Sequence, residues 1–446
     1  MTINTSDQPH SQDNSQLKRS LSLLDVTSLG VNGVVGQGIF FIPAIAVSKV
    51  GPAALIALIL GAIICVLISL CFAEVGSRFK GTGGAYLYAR EAFGDFVGFE
   101  VGWMTCIVAM TAWAALANGL VTKALVPLLD AQWGVTLSPL ELTLAPIILM
   151  TTLSVINLWG AKSGAGLSTA LTVLKLTPIF LLIIVGLPQI STLGFTPFAP
   201  QGWSSLGEAT LMLLYAYVGF ETLVVPAGEM ENPKRSIPLA LITVMGLVAL
   251  IYIAVFVVSI GVLPDVAQSK NPIAEASTFV LGPIGGVLIA YGILCSVLGT
   301  NAAAAVVSPR RIFAFAEGGH LPRVLARVNP KTGAPSLAII TLLIGSSLLS
   351  LSGSFEELAV MSVVARFCQY IPTCVAVITL RKRGPAPFTL PGGVLIPVIT
   401  LIACAALLQN SAPDKLLFGF YALLVGAVVY GMRHLYERSK RSESER

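Results

Sequence analysis

Three charged residues lie where an apolar chain tolerates them least. Glu221 ends the run Tyr217-Val218-Gly219-Phe220-Glu221, Lys175 stands within Leu174-Lys175-Leu176-Thr177-Pro178, and Arg366 within Ala365-Arg366-Phe367-Cys368-Gln369-Tyr370. An ionised side chain at the centre of a bilayer costs about 2.5–3.5 kcal/mol even on the lenient insertion scale, so each needs a partner, a wet cavity or a task. Glu221 can pair with Lys175, bind a cationic group or carry a proton. Lys175 is too central to snorkel and is either a proton-coupling ammonium or a permanently charged brace. Arg366 can gate the outer side, hold an acidic substrate, or pair with Glu100 or Glu221. Together they carry a net positive charge, which disfavours a strongly cationic substrate.

Two apolar segments are also interrupted. One breaks at Gly36-Gln37-Gly38-Ile39-Phe40, after Gly30 and Gly33, and the other at residues 217–221. Unwound backbone at membrane depth survives only when buried in protein or lining a cavity, and paired broken segments point to a transporter's binding site. At the first break the N–H groups of Gln37, Gly38 and Ile39 would open a half-helix and face an anion such as a carboxylate. A glycine packing seam is the alternative. At the second, carbonyls around Tyr217, Val218 and Gly219 can accept from an ammonium, beside Phe220 and Glu221. Tyr215 could offer a cation–π face to that ammonium, or Tyr215 and Tyr217 are ordinary core aromatics.

These residues need long apolar elements to hold them. The chain has 446 residues, 55% hydrophobic and 11% charged, a balance that excludes an ordinary soluble protein. It reads as twelve apolar segments, roughly 23–49, 53–76, 94–127, 139–159, 163–188, 203–230, 236–262, 282–316, 334–353, 355–380, 393–410 and 414–433. Each approaches the ~20 residues that cross a hydrocarbon core. With both termini inside, the outer loops receive only Lys49, Lys123, Lys270 and Lys415, the asymmetry of the positive-inside rule. The net charge of +5 follows from that orientation and gives no case for nucleic acid. The seven cysteines fall inside apolar segments and the three histidines in tails or loops, so neither a metal site nor a cofactor is expected.

The organisation is one transporter domain, 21–433, between a disordered cytoplasmic tail, 1–20, and a second cytoplasmic tail, 434–446. Breaks in segments one and six imply a five-segment unit, and an odd unit inverts in the membrane. Repeat one would cover about 23–188, repeat two about 203–380, with two extra helices at 393–433. In the loop 229–238, Asn232-Pro233 signals a turn and Ser236 is expected to cap the next helix. Glu74, Arg78, Glu229 and Glu231 gather at inner helix ends, as gating ion pairs or as solvated charges.

The motifs at 36–40, 219–221, 229–238, 73–86 and 308–322 resemble the amino acid–polyamine–organocation superfamily, in the same order along the chain. That resemblance implies an all-α integral membrane fold of twelve helices, a five-plus-five inverted repeat of the leucine-transporter type with helices 1 and 6 discontinuous. It also implies that Gly36, Gln37, Gly38 and Ile39 bind a substrate carboxylate, that Tyr215 is a gate, and that Lys175 replaces a sodium ion of sodium-coupled relatives. Ser296 and Thr300 are candidates for the same position. The expected function is secondary, proton-coupled uptake of amino acids across the inner (plasma) membrane by alternating access. The alternatives are an exchanger, for which Glu221 speaks, sodium symport, and a non-transporting sensor. An enzyme is not expected. The partners are an amino acid, protons and the lipid bilayer; whether the chain is a monomer or a homodimer stays open.

Overall fold

The computed structural model describes residues 17–444 apart from 37, 267, 270, 353–354 and 410–412, so the Gln37 expectation lies outside the described residues. The first helix, α1 (Leu23–Val34), starts at a capping box: the Asp25 N–H donates to Ser22 Oγ at 3.3 Å while the Ser22 N–H donates to Asp25 Oδ2 at 3.0 Å. Such reciprocal bonds satisfy donors that a helix start leaves open. After a break come α2 (Gly38–Val50), α3 (Ala54–Gly76), the short α4 (Ala85–Phe93) and α5 (Asp95–Gly119). A π-helical turn carries α5 into α6 (Val126–Trp133), beyond the expected end of that segment. Then follow α7 (Pro139–Leu158), with a second capping box from Ser138 and Glu141, and α8 (Ala161–Gly186).

The sixth segment departs from the expectation. Its first half is α9 (Leu206–Tyr217), but the second half forms no α-helix. Two 3-10 turns, Phe220–Thr222 and Ala227–Glu229, carry the chain instead. Gly219, at φ +122, turns the chain out of helical geometry, a conformation open to glycine alone. Pro226 follows, and its ring cannot donate to a helical ladder. The next helix, α10 (Pro233–Val262), begins with Pro233 at its first position after Asn232. Ser236 is therefore inside the helix, bonded through its N–H to the Asn232 carbonyl, and is not the cap.

The remaining helices are α11 (Pro272–Leu281), α12 (Pro283–Glu317), α13 (Ser336–Ser352), α14 (Phe355–Arg381), α15 (Leu395–Gln409) and α16 (Pro413–Ser444). The molecule is an all-α, multi-span bundle. Among the described residues, six helical stretches are long and apolar enough to cross a membrane: 38–76, 95–130, 139–158, 161–189, 233–262 and 283–317. Their outward faces are apolar as well. Ile148 and Ile184 are 62% and 67% exposed on α7 and α8, a surface suited to lipid rather than water. Inside, α1 packs against α8, α10 and α12, and α5 lies against α12 and α14. The polar N-terminal stretch, expected to be loose through Ser20, is packed from Leu17 onward. Leu17 is buried, and the Ser20 and Leu21 N–H groups donate to the Glu229 carbonyl.

Candidate functional site

Breaking a helix frees carbonyls that must find donors. At the first break they find side chains from three other helices. Lys175 of α8, fully buried, donates through Nζ to the Val35 carbonyl at 2.6 Å and to the Val31 carbonyl at 3.3 Å. Ser296 of α12 donates to Val35 at 2.9 Å and Gly36 at 3.3 Å, and Thr300 reaches Val35 at 3.5 Å. The Tyr252 hydroxyl of α10 donates to the Val34 carbonyl at 3.3 Å. Lys175 thus rests on backbone dipoles and does not meet Glu221.

The second break closes on itself. The Gly219 N–H donates to Glu221 Oε2 at 3.0 Å, and the Thr222 hydroxyl to the Gly219 carbonyl at 2.6 Å. Glu221, buried, forms its ion pair with Arg366 of α14 and accepts from the Tyr370 hydroxyl at 3.0 Å. Of the two partners proposed for Arg366, Glu221 is therefore the one it meets; both Glu100 oxygens lack a hydrogen-bond partner. The breaks also touch each other. A Cβ on Gly219 would collide with the Gly33 carbonyl, and one on Gly33 would come within 2.8 Å of Thr222 Oγ1. On Gly38 a Cβ would stand 2.9 Å from the Ala216 Cα. Glycine at these positions lets two backbones approach where any side chain would part them.

Between the breaks lies a cavity of about 50 Å³. Gly33, Val34, Gly36 and Gly38 line one side, and Tyr215 and Val218 a second. Ala112, Ala115 and Leu116 of α5, Thr300 of α12 and Arg366 complete it. The space suits ordered water, and the polar side chains among its lining residues are those of Thr300, Tyr215 and Arg366. Of the expected binding residues, Gly36, Gly38 and Tyr215 line this cavity, and Ile39, Tyr217, Gly219, Phe220 and Glu221 are not among its lining residues. Ile39 is buried in the core. Tyr217 packs on Tyr252, with ring centroids 5.1 Å apart. Phe220 stacks on Tyr370 at 5.5 Å and meets Phe72 edge-on at 5.8 Å. Gly219 and Glu221 support the turn, and Glu221 reaches the cavity only through Arg366. Sequence reasoning missed the α5 residues, because an all-apolar helix gives no periodic signal of which side faces inward. It also missed Tyr370, one turn beyond Arg366 on the same helix face, a spacing that could have flagged it.

At the inner end, the charged residues find other partners than one another. Glu74, buried, takes two bonds from Arg381, at 2.6 and 2.5 Å, and one from the Leu390 N–H at 2.8 Å. Glu229, also buried, takes Arg310 Nε at 2.9 Å and its terminal nitrogen at 3.2 Å. Arg310 in turn donates to Asn157 at 3.0 Å and to the Val306 carbonyl at 2.6 Å. Arg78 donates to the Gly384 carbonyl at 2.8 Å, and burial, opposed by Glu74 and aided by Arg381, moves its pKa below the usual guanidinium range. Glu231 is exposed. Glu74 and Glu229 are therefore buried bidentate pairs rather than solvated end charges.

Residues 21–428 match the family model described as amino acid permease. Three curated relatives align over nearly their whole lengths. The serine/threonine exchanger SteT of Bacillus subtilis (strain 168) is 30% identical over 439 residues, 95% of this chain and 99% of the relative. The methylthioribose transporter of the same strain is 28% identical, over 95% of this chain and 94% of its own. The branched-chain amino acid permease BcaP, again of that strain, is 27% identical over the same shares.

Proposed function

The chain belongs to the amino acid permease family, within the amino acid–polyamine–organocation superfamily, and from that membership we propose proton-coupled amino acid uptake by alternating access. As a family member it is a membrane-embedded secondary transporter of amino-acid-like solutes and not an enzyme. The architecture we infer is twelve spans in a five-plus-five inverted repeat, α1–α2 and α9 with its turns being the matching broken members. It sits in the inner membrane with both termini cytoplasmic.

The observation that carries the reading is the Lys175 ammonium on the Val31 and Val35 carbonyls, shared with Ser296. A cation held by backbone oxygens at a helix break is in the place and coordination a metal ion would take, and an amine, unlike an arginine, can give its proton up. Loss of that proton would remove the charge that strengthens the bonds to the Val31 and Val35 carbonyls and loosen α1 from α8. The substrate carboxylate would lie on the N–H groups that open α2, at Gly38 and Ile39, and Tyr215 would cover it. The side chain would point to Ala112, Ala115 and Thr300. With Glu221 neutralised by Arg366, the cavity favours a neutral amino acid.

Reconstituted protein should accumulate a labelled amino-acid pool when an inward proton gradient is imposed, and Lys175→Ala should lose the response to the gradient. Equal accumulation with and without the gradient, in both proteins, would sink the coupling role. Exchange is the second reading, favoured by the similarity to a serine/threonine exchanger. Under it, uptake would require a preloaded lumen and ignore the gradient.

A further inference from the structure

Arg310 and Arg311 are consecutive on α12 and both buried, yet they are served very differently. Arg310 has a carboxylate, an amide oxygen and a carbonyl. Arg311 is 5% exposed, its Nη1 lies 3.5 Å from the Thr105 carbonyl of α5, and its Nε has no hydrogen-bond partner. A contact of 3.5 Å is at the outer limit of a hydrogen bond. No ion pair with a carboxylate forms at Arg311 among the described residues. A guanidinium does not deprotonate to relieve such a position, so a buried one with a single long bond to a carbonyl and an unpartnered Nε is costly, and it implies a better acceptor in another state of the molecule.

Its place in the fold says which. Arg311 is eleven residues beyond Thr300, three turns of α12 with about 20° of residual rotation, so both stand on one face, about 16 Å apart along the axis. Thr105 is seven residues before Ala112, two turns of α5 and again the same face. Tyr370 is one turn beyond Arg366 on α14, and Tyr370 and Cys106 lie within electrostatic reach of Arg311. Thr300, Ala112 and Arg366 all line the cavity. The faces of three helices that enclose the cavity thus continue to Arg311, toward the end of the bundle closed by the Glu229–Arg310 and Glu74–Arg381 pairs.

We propose that Arg311 is a second carboxylate-binding station, which receives the substrate's carboxylate on the inner side after it leaves the N–H groups of the first break. This rests on the transport reading above. The planar fork can hold a carboxylate through two parallel bonds, and an amino acid always brings one. An inorganic anion has related chemistry, and the test separates the two.

The full chain is compared in right-side-out and inside-out membrane vesicles, with labelled L-serine as the probe. For Arg311→Gln the inner-side KM should rise roughly tenfold, the scale of losing one charge-assisted contact, while the outer-side KM stays within about twofold. Arg311→Lys, which keeps the charge but not the fork, should fall between. Equal shifts on both sides, or none, would make Arg311 a brace and overturn the proposal. So would an inner-side KM of the unaltered protein that shifts when chloride on the cytoplasmic face is replaced by methanesulfonate, which has no carboxylate, the mark of an inorganic occupant. Where Arg311→Gln fails to fold, judged by melting in detergent, Arg311→Lys is read by the same criterion. Failure of the unaltered protein to move any amino acid removes the transport reading itself, and this inference with it.

Discussion

The two helix breaks solve one problem in opposite ways. At the first, the freed carbonyls are served from a distance: Lys175 of α8, Ser296 and Thr300 of α12 and Tyr252 of α10 converge on residues 31–36. At the second, the turn serves itself through Glu221 and Thr222, and its far connection is to one helix, α14, where Glu221 meets Arg366 and the Tyr370 hydroxyl. A group shared by three helices passes a local change, such as the loss of one proton, to all of them. A self-contained turn passes on only what travels through its single tether. We therefore assign ion coupling to the first break, and to the second the fixed geometry against which α1 and α2 are set.

The sharpest way to break that contrast is to force the two breaks apart. Gly219→Ala places a methyl group into the Gly33 carbonyl and demands φ +122 of a residue with a Cβ. The expected cost exceeds about 4 kcal/mol, the range reached only when strain and overpacking combine. Yield and melting temperature in detergent measure it. Gly134→Ala is the control, since that glycine also has a positive φ, +61, but nothing lies within 4 Å of the added carbon. It should cost about 1 kcal/mol, the backbone penalty alone. If both variants melt alike, the close approach of the breaks is not what requires glycine.

The next largest effect concerns the tether. Glu221→Gln and Arg366→Gln should each cost about 3 kcal/mol, because each leaves a buried charge without its partner. The double variant should cost clearly less than the sum, and the coupling read from the four melting curves is the test. Strict additivity would mean that Tyr370 and the Gly219 N–H hold Glu221 without Arg366, and the second break would then be tied to α14 through Tyr370 alone.

How much of this was legible in the sequence depends on the kind of signal. The positions of both breaks were, because glycine and charge in apolar runs violate a strong rule and so stand out. The all-α, multi-span character was, because spanning length is set by the bilayer rather than by packing. Partner choice was not. Arg366 could be narrowed to Glu100 or Glu221, yet nothing in the chain says which helix face turns which way when every face is apolar. For the same reason the sequence places Arg310 and Arg381 on the inner side without showing that they pair with the buried Glu229 and Glu74. The missing second half-helix of segment six was hidden too. Its residues are hydrophobic enough to span, and only Gly219 and Pro226 mark the chain as turning.

The smallest predicted effect sharpens the comparison most, because it matches one hydroxyl against another. Ser296→Ala removes one of several donors to the Val35 carbonyl, leaving Lys175 at 2.6 Å. Thr222→Val removes the only side-chain donor to the Gly219 carbonyl, but the Thr222 N–H still serves it at 3.0 Å. Neither strands a buried acceptor, so each should cost about 0.5–1.5 kcal/mol, the net worth of one hydrogen bond. Stability alone will not separate them. Transport should: with one donor fewer at a carbonyl that α8 and α12 share, Ser296→Ala should change the dependence of uptake on the proton gradient. Thr222→Val should leave that dependence as it was and alter only the melting temperature. A reversed pattern would move the coupling to the second break and leave Lys175 as packing for the first.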